Sequence, residues 1–184
     1  TVGLPWSSAR QHYSALSPKQ ALTTIRQVAS SVQWLKAQGL TGLDLSPNRV
    51  WLTPDLQQLT LTGLPHAYLQ SEDAIAIAPD TSVQALAKLL FSFLTGELLA
   101  SHAEPAIDDL RARLHQHRPN LSPVIIEAIE QGIRSPADAP APTLDQWLRL
   151  LPDAGAPHYV QPPSQKITTS PPAPMALAAS TSVV

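Results

Sequence analysis

A chain of 184 residues with 19 prolines, no cysteine and a net charge of −2 has room for one domain and a tail. The missing cysteines exclude a disulfide frame, a thiolate metal site and a thiol nucleophile. With a pI near 6.3 there is no long-range pull towards nucleic acid or an anionic membrane, and no apolar run approaches the roughly 20 residues that span a bilayer.

The first stretch, TVGLPWSSAR, has neither an initiator methionine nor the basic-then-apolar pattern of a secretion signal. Residues 1–16 are expected to lead in from an upstream part of a longer protein. Together with the lack of cysteine, which fits a reducing compartment, this makes the expected location cytoplasmic. The stretch SPKQALTTIRQVASSVQWLKAQG then carries a full helix signature. Ser17 stands as N-cap, Pro18 at the first helical position and Gln20 as the return partner of a capping box. Leu22, Ile25, Val28 or Ala29, Val32 and Leu35 form one face, and Gly39 is the stop. Trp34 is placed on the core side.

RVWLT and QLTLT, joined by PDLQ, read as a small hairpin. TSVQALAKLLFSFLTG is apolar nearly all round, with Lys88 its one charge, and is expected at the centre of the domain. Three helices follow, in EPAIDDLRARLHQH, in SPVIIEAIEQGIR with Ser122 as cap, and in TLDQWLRLL with Thr143 and Gln146 as a second capping box. His115 and His117 are two apart, so on a helix they point apart and make no metal pair. Ser122 also completes an N-x-S sequon with Asn120, but its capping role explains it better. From Pro152 onward the chain is mostly Pro, Ala, Ser and Thr without apolar period, and residues 152–184 are expected to be a disordered tail. The PPSQKITTSPPAP stretch within it is read as a spacer rather than a polyproline ligand.

The order of these elements, with these residues, resembles the C-terminal lobe of a protein kinase of the bacterial Ser/Thr type over residues 17–151. WLKAQGL looks like the end of the helix before the catalytic loop. TGLDLSPNRVWL is similar to the H-R-D-L-x-P-x-N loop and its strand. LTLTGLP stands where the strand into D-F-G belongs. QALAKLLFSFLTGEL resembles the buried central helix, and AIEQGIRSPADAPAPTLDQWLRLL the closing helices. The resemblance implies a mainly α fold with a small β-hairpin. It implies a catalytic base at Asp44 and metal ligands at the loop Asn and D-F-G Asp positions.

The departures from that pattern decide the expected function. The His and Arg before the base fall on Gly42 and Leu43, the loop lysine on Ser46 and the metal-binding Asn on Arg49, with Asn48 one position early. The D-F-G positions fall within Thr62–Pro65, where there is no carboxylate. Ala78-Pro79-Asp80 echoes A-P-E but lies too near the central helix. The Asp that opens that helix falls on Ser82, and the Arg of the closing turn on Ala139. The Gly-rich loop and strand lysine belong to an N-terminal lobe outside this sequence.

The expectation is therefore a pseudokinase-like lobe that binds a protein partner or acts as a scaffold, without metal, cofactor or nucleic acid. The alternative is the C-lobe of an active Ser/Thr protein kinase, using Mg·ATP, whose N-lobe lies upstream. Asp44 is expected to hydrogen-bond local backbone rather than serve as base. Arg49 is either a metal-free phosphate anchor or an ordinary solvated arginine. Trp51, expected to be exposed on the hairpin, is the candidate partner contact.

Overall fold

The capping signals fix where the longest helix starts. In the computed structural model, which describes residues 3–41, 43–56, 58–62, 68–69, 81–99, 106–134 and 142–153, Ser17 Oγ accepts from Gln20 N–H at 3.3 Å and Gln20 Oε1 accepts from Ser17 N–H at 3.0 Å. Helix α2 then runs Pro18–Ala37 and buries Leu22, Ile25, Val28, Ala29 and Val32. Just past its end, Gly39 has φ of 80°, a conformation that glycine adopts without penalty. Trp34 corrects the expectation of burial, being 58 % exposed. It lies nine positions after Ile25, half a turn out of phase with the buried stripe at about 100° per residue.

Two short sheets flank the helices. β1 (Leu4–Pro5), β3 (Val50–Leu52) and β4 (Leu59–Leu61) form an antiparallel sheet in the order β1-β3-β4, while β2 (Leu40–Thr41) pairs with β5 (Tyr68–Leu69). The expected hairpin is β3–β4, with Trp51 opposite Thr60. Thr53 closes its corner: its N–H donates to Gln58 O at 3.1 Å and its hydroxyl accepts from Gln58 N–H at 3.1 Å. Trp51 is half-buried rather than exposed. Its strand is the middle one, so neighbours on both sides shade the ring.

Residues 4–16, read from sequence as a lead-in, take part in the fold. β1 adds the third strand, and α1 (Trp6–Tyr13) buries Trp6 and Ala9. The Trp6 indole donates to Ser92 Oγ at 2.7 Å and meets Phe93 edge-on, centroids 4.9 Å apart.

α3 (Ser82–Thr95) is the centre, as its apolar sequence predicts, with Leu86, Leu90, Phe91, Phe93 and Leu94 fully buried. Around it stand α4 (Ile107–His117), α5 (Pro123–Ile133) and α6 (Leu144–Leu150). α5 comes close to α3 because Gly132 has no side chain: a Cβ there would lie 2.5 Å from Ala87 Cβ and 2.7 Å from Trp147 Nε1. Trp147 is fully buried and donates to Ala128 O at 2.8 Å. The Thr143–Gln146 capping box starts α6 as expected. Ser122 holds the N-cap position of α5, but its hydroxyl caps nothing. Its carbonyl accepts from Ile125 N–H at 3.0 Å, which already occupies the donor a hydroxyl would serve, and Pro123 contributes no N–H.

Among the described residues the fold is thus mainly helical, six helices with a three-stranded and a two-stranded antiparallel sheet, and no helix there is long and apolar enough to cross a membrane. The expectations for Gly42, Gly63–Pro65, Ala78–Asp80, Ala139 and the tail from 154 to 184 lie outside the described residues.

Truncating Leu90, which is fully buried in α3, to Ala is expected to cost about 2–5 kcal/mol. Urea unfolding measures it, and near-wild-type stability would remove α3 from the centre of the core. Gly96 and Gly39 give a sharper contrast, since both have positive φ, but a Cβ at Gly96 would fall 1.8 Å from Ser14 O while Gly39 faces open space. Gly39→Ala should cost about 1–2 kcal/mol for the backbone alone. Gly96→Ala should exceed it by more than about 1 kcal/mol, because backbone must also shift.

Candidate functional site

The loop between β2 and β3 is pinned at several points. Leu45 is buried in the core, Pro47 O accepts from Ser7 N–H at 3.3 Å, and Arg49 N–H donates to Ser46 O at 2.9 Å, closing a turn over Pro47 and Asn48. Thr62 N–H donates to Arg49 O at 2.9 Å, which ties the loop to the end of the hairpin. The β2–β5 pairing holds the other end.

Within that frame Asp44 and Arg49 come together. Asp44 Oδ1 accepts from Ser46 N–H at 2.9 Å, and its Oδ2 faces Arg49 Nε at 3.4 Å. Burial pushes the Asp44 carboxyl up, but the Ser46 N–H and hydroxyl and the Arg49 guanidinium together outweigh it, and the carboxyl lies below its ordinary range. This is the local backbone role expected for Asp44. It also weakens Asp44 as a base, because proton abstraction near neutral pH favours a carboxylate raised towards that pH. Asn48, the near match to a metal ligand, is exposed in the turn. Thr62, at the start of the D-F-G positions, directs its hydroxyl back to Arg49 O at 3.4 Å. Among the described residues no group of three or more His, Asp or Glu converges as a metal site would require.

Trp51 lies apart from this pair, on the outer face of the three-stranded sheet. With Gly3, Thr53, Gln58, Thr60 and Thr62 it lines a hollow of about 150 Å³. Its indole N–H is closed off from solvent without a hydrogen-bond partner.

Sequence reasoning missed the α4–α5 cleft, about 520 Å³, where Arg111 and Glu130 meet. Glu130 is 7 % exposed and accepts from Arg111 Nε at 2.9 Å and Nη2 at 2.8 Å. This bidentate bond raises the Arg111 pKa above its ordinary value. The clue was Glu130 itself, an acid on the apolar face of VIIEAIEQGI, which is rarely buried without a partner. His117 stands in the last turn of α4. Its Nε2 sits 2.8 Å from Glu97 Oε1, and Arg113 bridges Glu97 and Asp109 beside it.

No protein-family model matches this chain, and no curated protein matches it.

The Asp44 contacts predict a pH dependence. Because the folded carboxyl is lowered, its stabilisation is present above the ordinary Asp value and is lost as pH falls through it and below. Asp44→Asn should cost about 0.5–1.5 kcal/mol at neutral pH, with the half-exposed ion pair contributing little of it. The gap between variant and wild type should close below about pH 4. Urea titrations across that range test it, and a gap independent of pH would remove the charge from the loop's stability.

Proposed function

We propose that the chain is a kinase-like C-terminal lobe whose catalytic loop no longer serves catalysis: a pseudokinase-like module that binds a protein partner or acts as a scaffold. The observation that carries the reading is the Asp44–Arg49 pair. The position where the resemblance implies a metal-binding Asn holds a guanidinium instead, 3.4 Å from the one acid left of the catalytic set. A dication at that place would meet a fixed positive charge, and a triphosphate without metal would meet the Asp44 carboxylate.

The element order supports the same reading. A long helix leads into a loop, a hairpin, an all-round buried helix and three closing helices, in the sequence the resemblance implies. Asp44 lies on the loop just before β3, and Arg49 at the mouth of that strand. A loop kept in shape by Leu45, Ser46 and Thr62 while its acid is lowered is suited to presenting a surface, not to moving a proton.

The test is a nucleotide titration read by thermal shift or calorimetry, with Mg²⁺ and then with a chelator. A ligand at a hundred times its Kd adds about 2.7 kcal/mol to folding stability, a shift easily seen. The expected result is no Mg²⁺-dependent stabilisation by ATP and no phosphate transfer. Saturable micromolar binding that requires Mg²⁺ and disappears in Asp44→Ala would overturn the reading. Binding that survives the chelator and disappears in Arg49→Ala would instead make Arg49 a metal-free phosphate anchor.

A further inference from the structure

We propose that the free edge of β4, with the hollow around Trp51 beside it, docks an extended, uncharged segment of a protein partner by strand addition. In the β3–β4 register, Thr53 N–H reaches Gln58 O and Thr62 N–H reaches Arg49 O, so the pairs 53–58, 51–60 and 49–62 share the ladder bonds. The N–H and C=O groups of Leu59 and Leu61 therefore point away from β3. Among the described residues β4 ends the sheet, and neither Leu59 nor Leu61 makes a hydrogen bond to a strand beyond β3. Such a row of unpaired backbone groups is a template for another strand.

The side chains beside that edge say what the strand should look like. Gln58, Thr60 and Thr62 alternate along β4 on the outer face, with Thr60 directly opposite Trp51. They match the two-residue period of an extended peptide laid alongside. Gly3, Trp51, Thr53, Gln58, Thr60 and Thr62 line the hollow, and none carries a formal charge. A carboxylate or phosphate entering there would lose water without gaining a counter-ion, and so would a Lys or Arg side chain. A neutral amide loses less, and the hollow offers hydroxyls and an indole face to receive it. Nucleic acid is disfavoured, because its binding rests on cations and none of the six residues lining the hollow is one.

The test selects binders to the full chain from a displayed library of random peptides, then compares wild type with two charged variants of exposed edge residues, Thr60→Glu and Gln58→Glu. The enriched peptides should share an uncharged stretch free of proline, since each docked residue needs its N–H. Either variant should keep the wild-type melting temperature and weaken the selected peptides about tenfold or more. Amide exchange at Leu59 and Leu61 should slow on binding, a readout that a merely structural role for the hairpin would not move. Peptides that depend on a charged residue, equal binding to the variants, or no enrichment at all would overturn the proposal. A self-association that Thr60→Glu abolishes would make a second copy the occupant and overturn it too.

Discussion

A helix buried on every side must find partners for its last carbonyls without water, and the end of α3 shows how this chain does so. Phe93 O accepts from Leu16 N–H at 2.7 Å, Leu94 O from Arg118 Nε at 3.1 Å, Phe91 O from the Thr95 hydroxyl at 2.9 Å and Ser92 O from Gly96 N–H at 2.8 Å. Gly96 O accepts from Arg10 at 3.0 Å. Apart from Thr95 and Gly96, which belong to the end of α3 itself, these donors come from α1, from the link into α2 and from the end of α4. Satisfying one helix end therefore ties distant parts of the chain to one place. Arg118 adds a bond to Leu16 O at 2.8 Å, so the link that caps α3 is itself held. The close approach of Ser14 O to Gly96 follows, and with it the requirement for glycine.

Arginine does much of this work. Arg10, Arg26 and Arg118 each direct guanidinium nitrogens at backbone carbonyls; Arg26 reaches Leu151 O and Pro152 O and so anchors the end of the last helix. A planar fork with five donors can serve two carbonyls at once from one side chain, which a lysine serves less well. In a chain where only 14 % of residues are charged, those cations are committed to holding the fold. The surface ion pairs that remain, such as Arg113 with Asp109, contribute little. The six residues that line the hollow beside β4 carry no formal charge.

Local chemistry was readable in the sequence, and non-local chemistry was not. Both capping boxes, the hairpin corner, the buried character of α3 and the local bonding of Asp44 depend on residues within a few positions of one another, and the sequence displays them directly. The β1–β3 pairing joins residues nearly fifty apart through strands of two and three residues, too short for any alternation to register. Trp6 looked like part of a lead-in because its partners, Ser92 and Phe93, are on another helix. Trp34 was misplaced by its chemistry: a large aromatic on a helix invites burial, yet the phase of the stripe puts it on the outer side. Ser122 stands at the N-cap of α5 as its sequence suggests, but nothing local shows that its carbonyl, not its hydroxyl, takes the free donor.

Asp44 shows why a site can be visible in sequence while its role is not. The same residue and spacing would serve a base, a metal ligand or a loop fastener, and the difference lies in what faces the carboxylate. Here one oxygen meets a backbone N–H and the other a guanidinium five residues on, both from within the loop itself. A carboxylate so satisfied is stable as an anion and reluctant to take a proton, and its removal affects the shape of the loop before it affects any chemistry. With Arg49 facing the acid, the loop's contribution to the fold is geometric. It sets the start of β3 and so aligns Trp51 and the outer face of the sheet. If the β4 edge docks a strand as proposed, Asp44 and Arg49 bear on that contact only indirectly, by fixing the strand that carries Trp51.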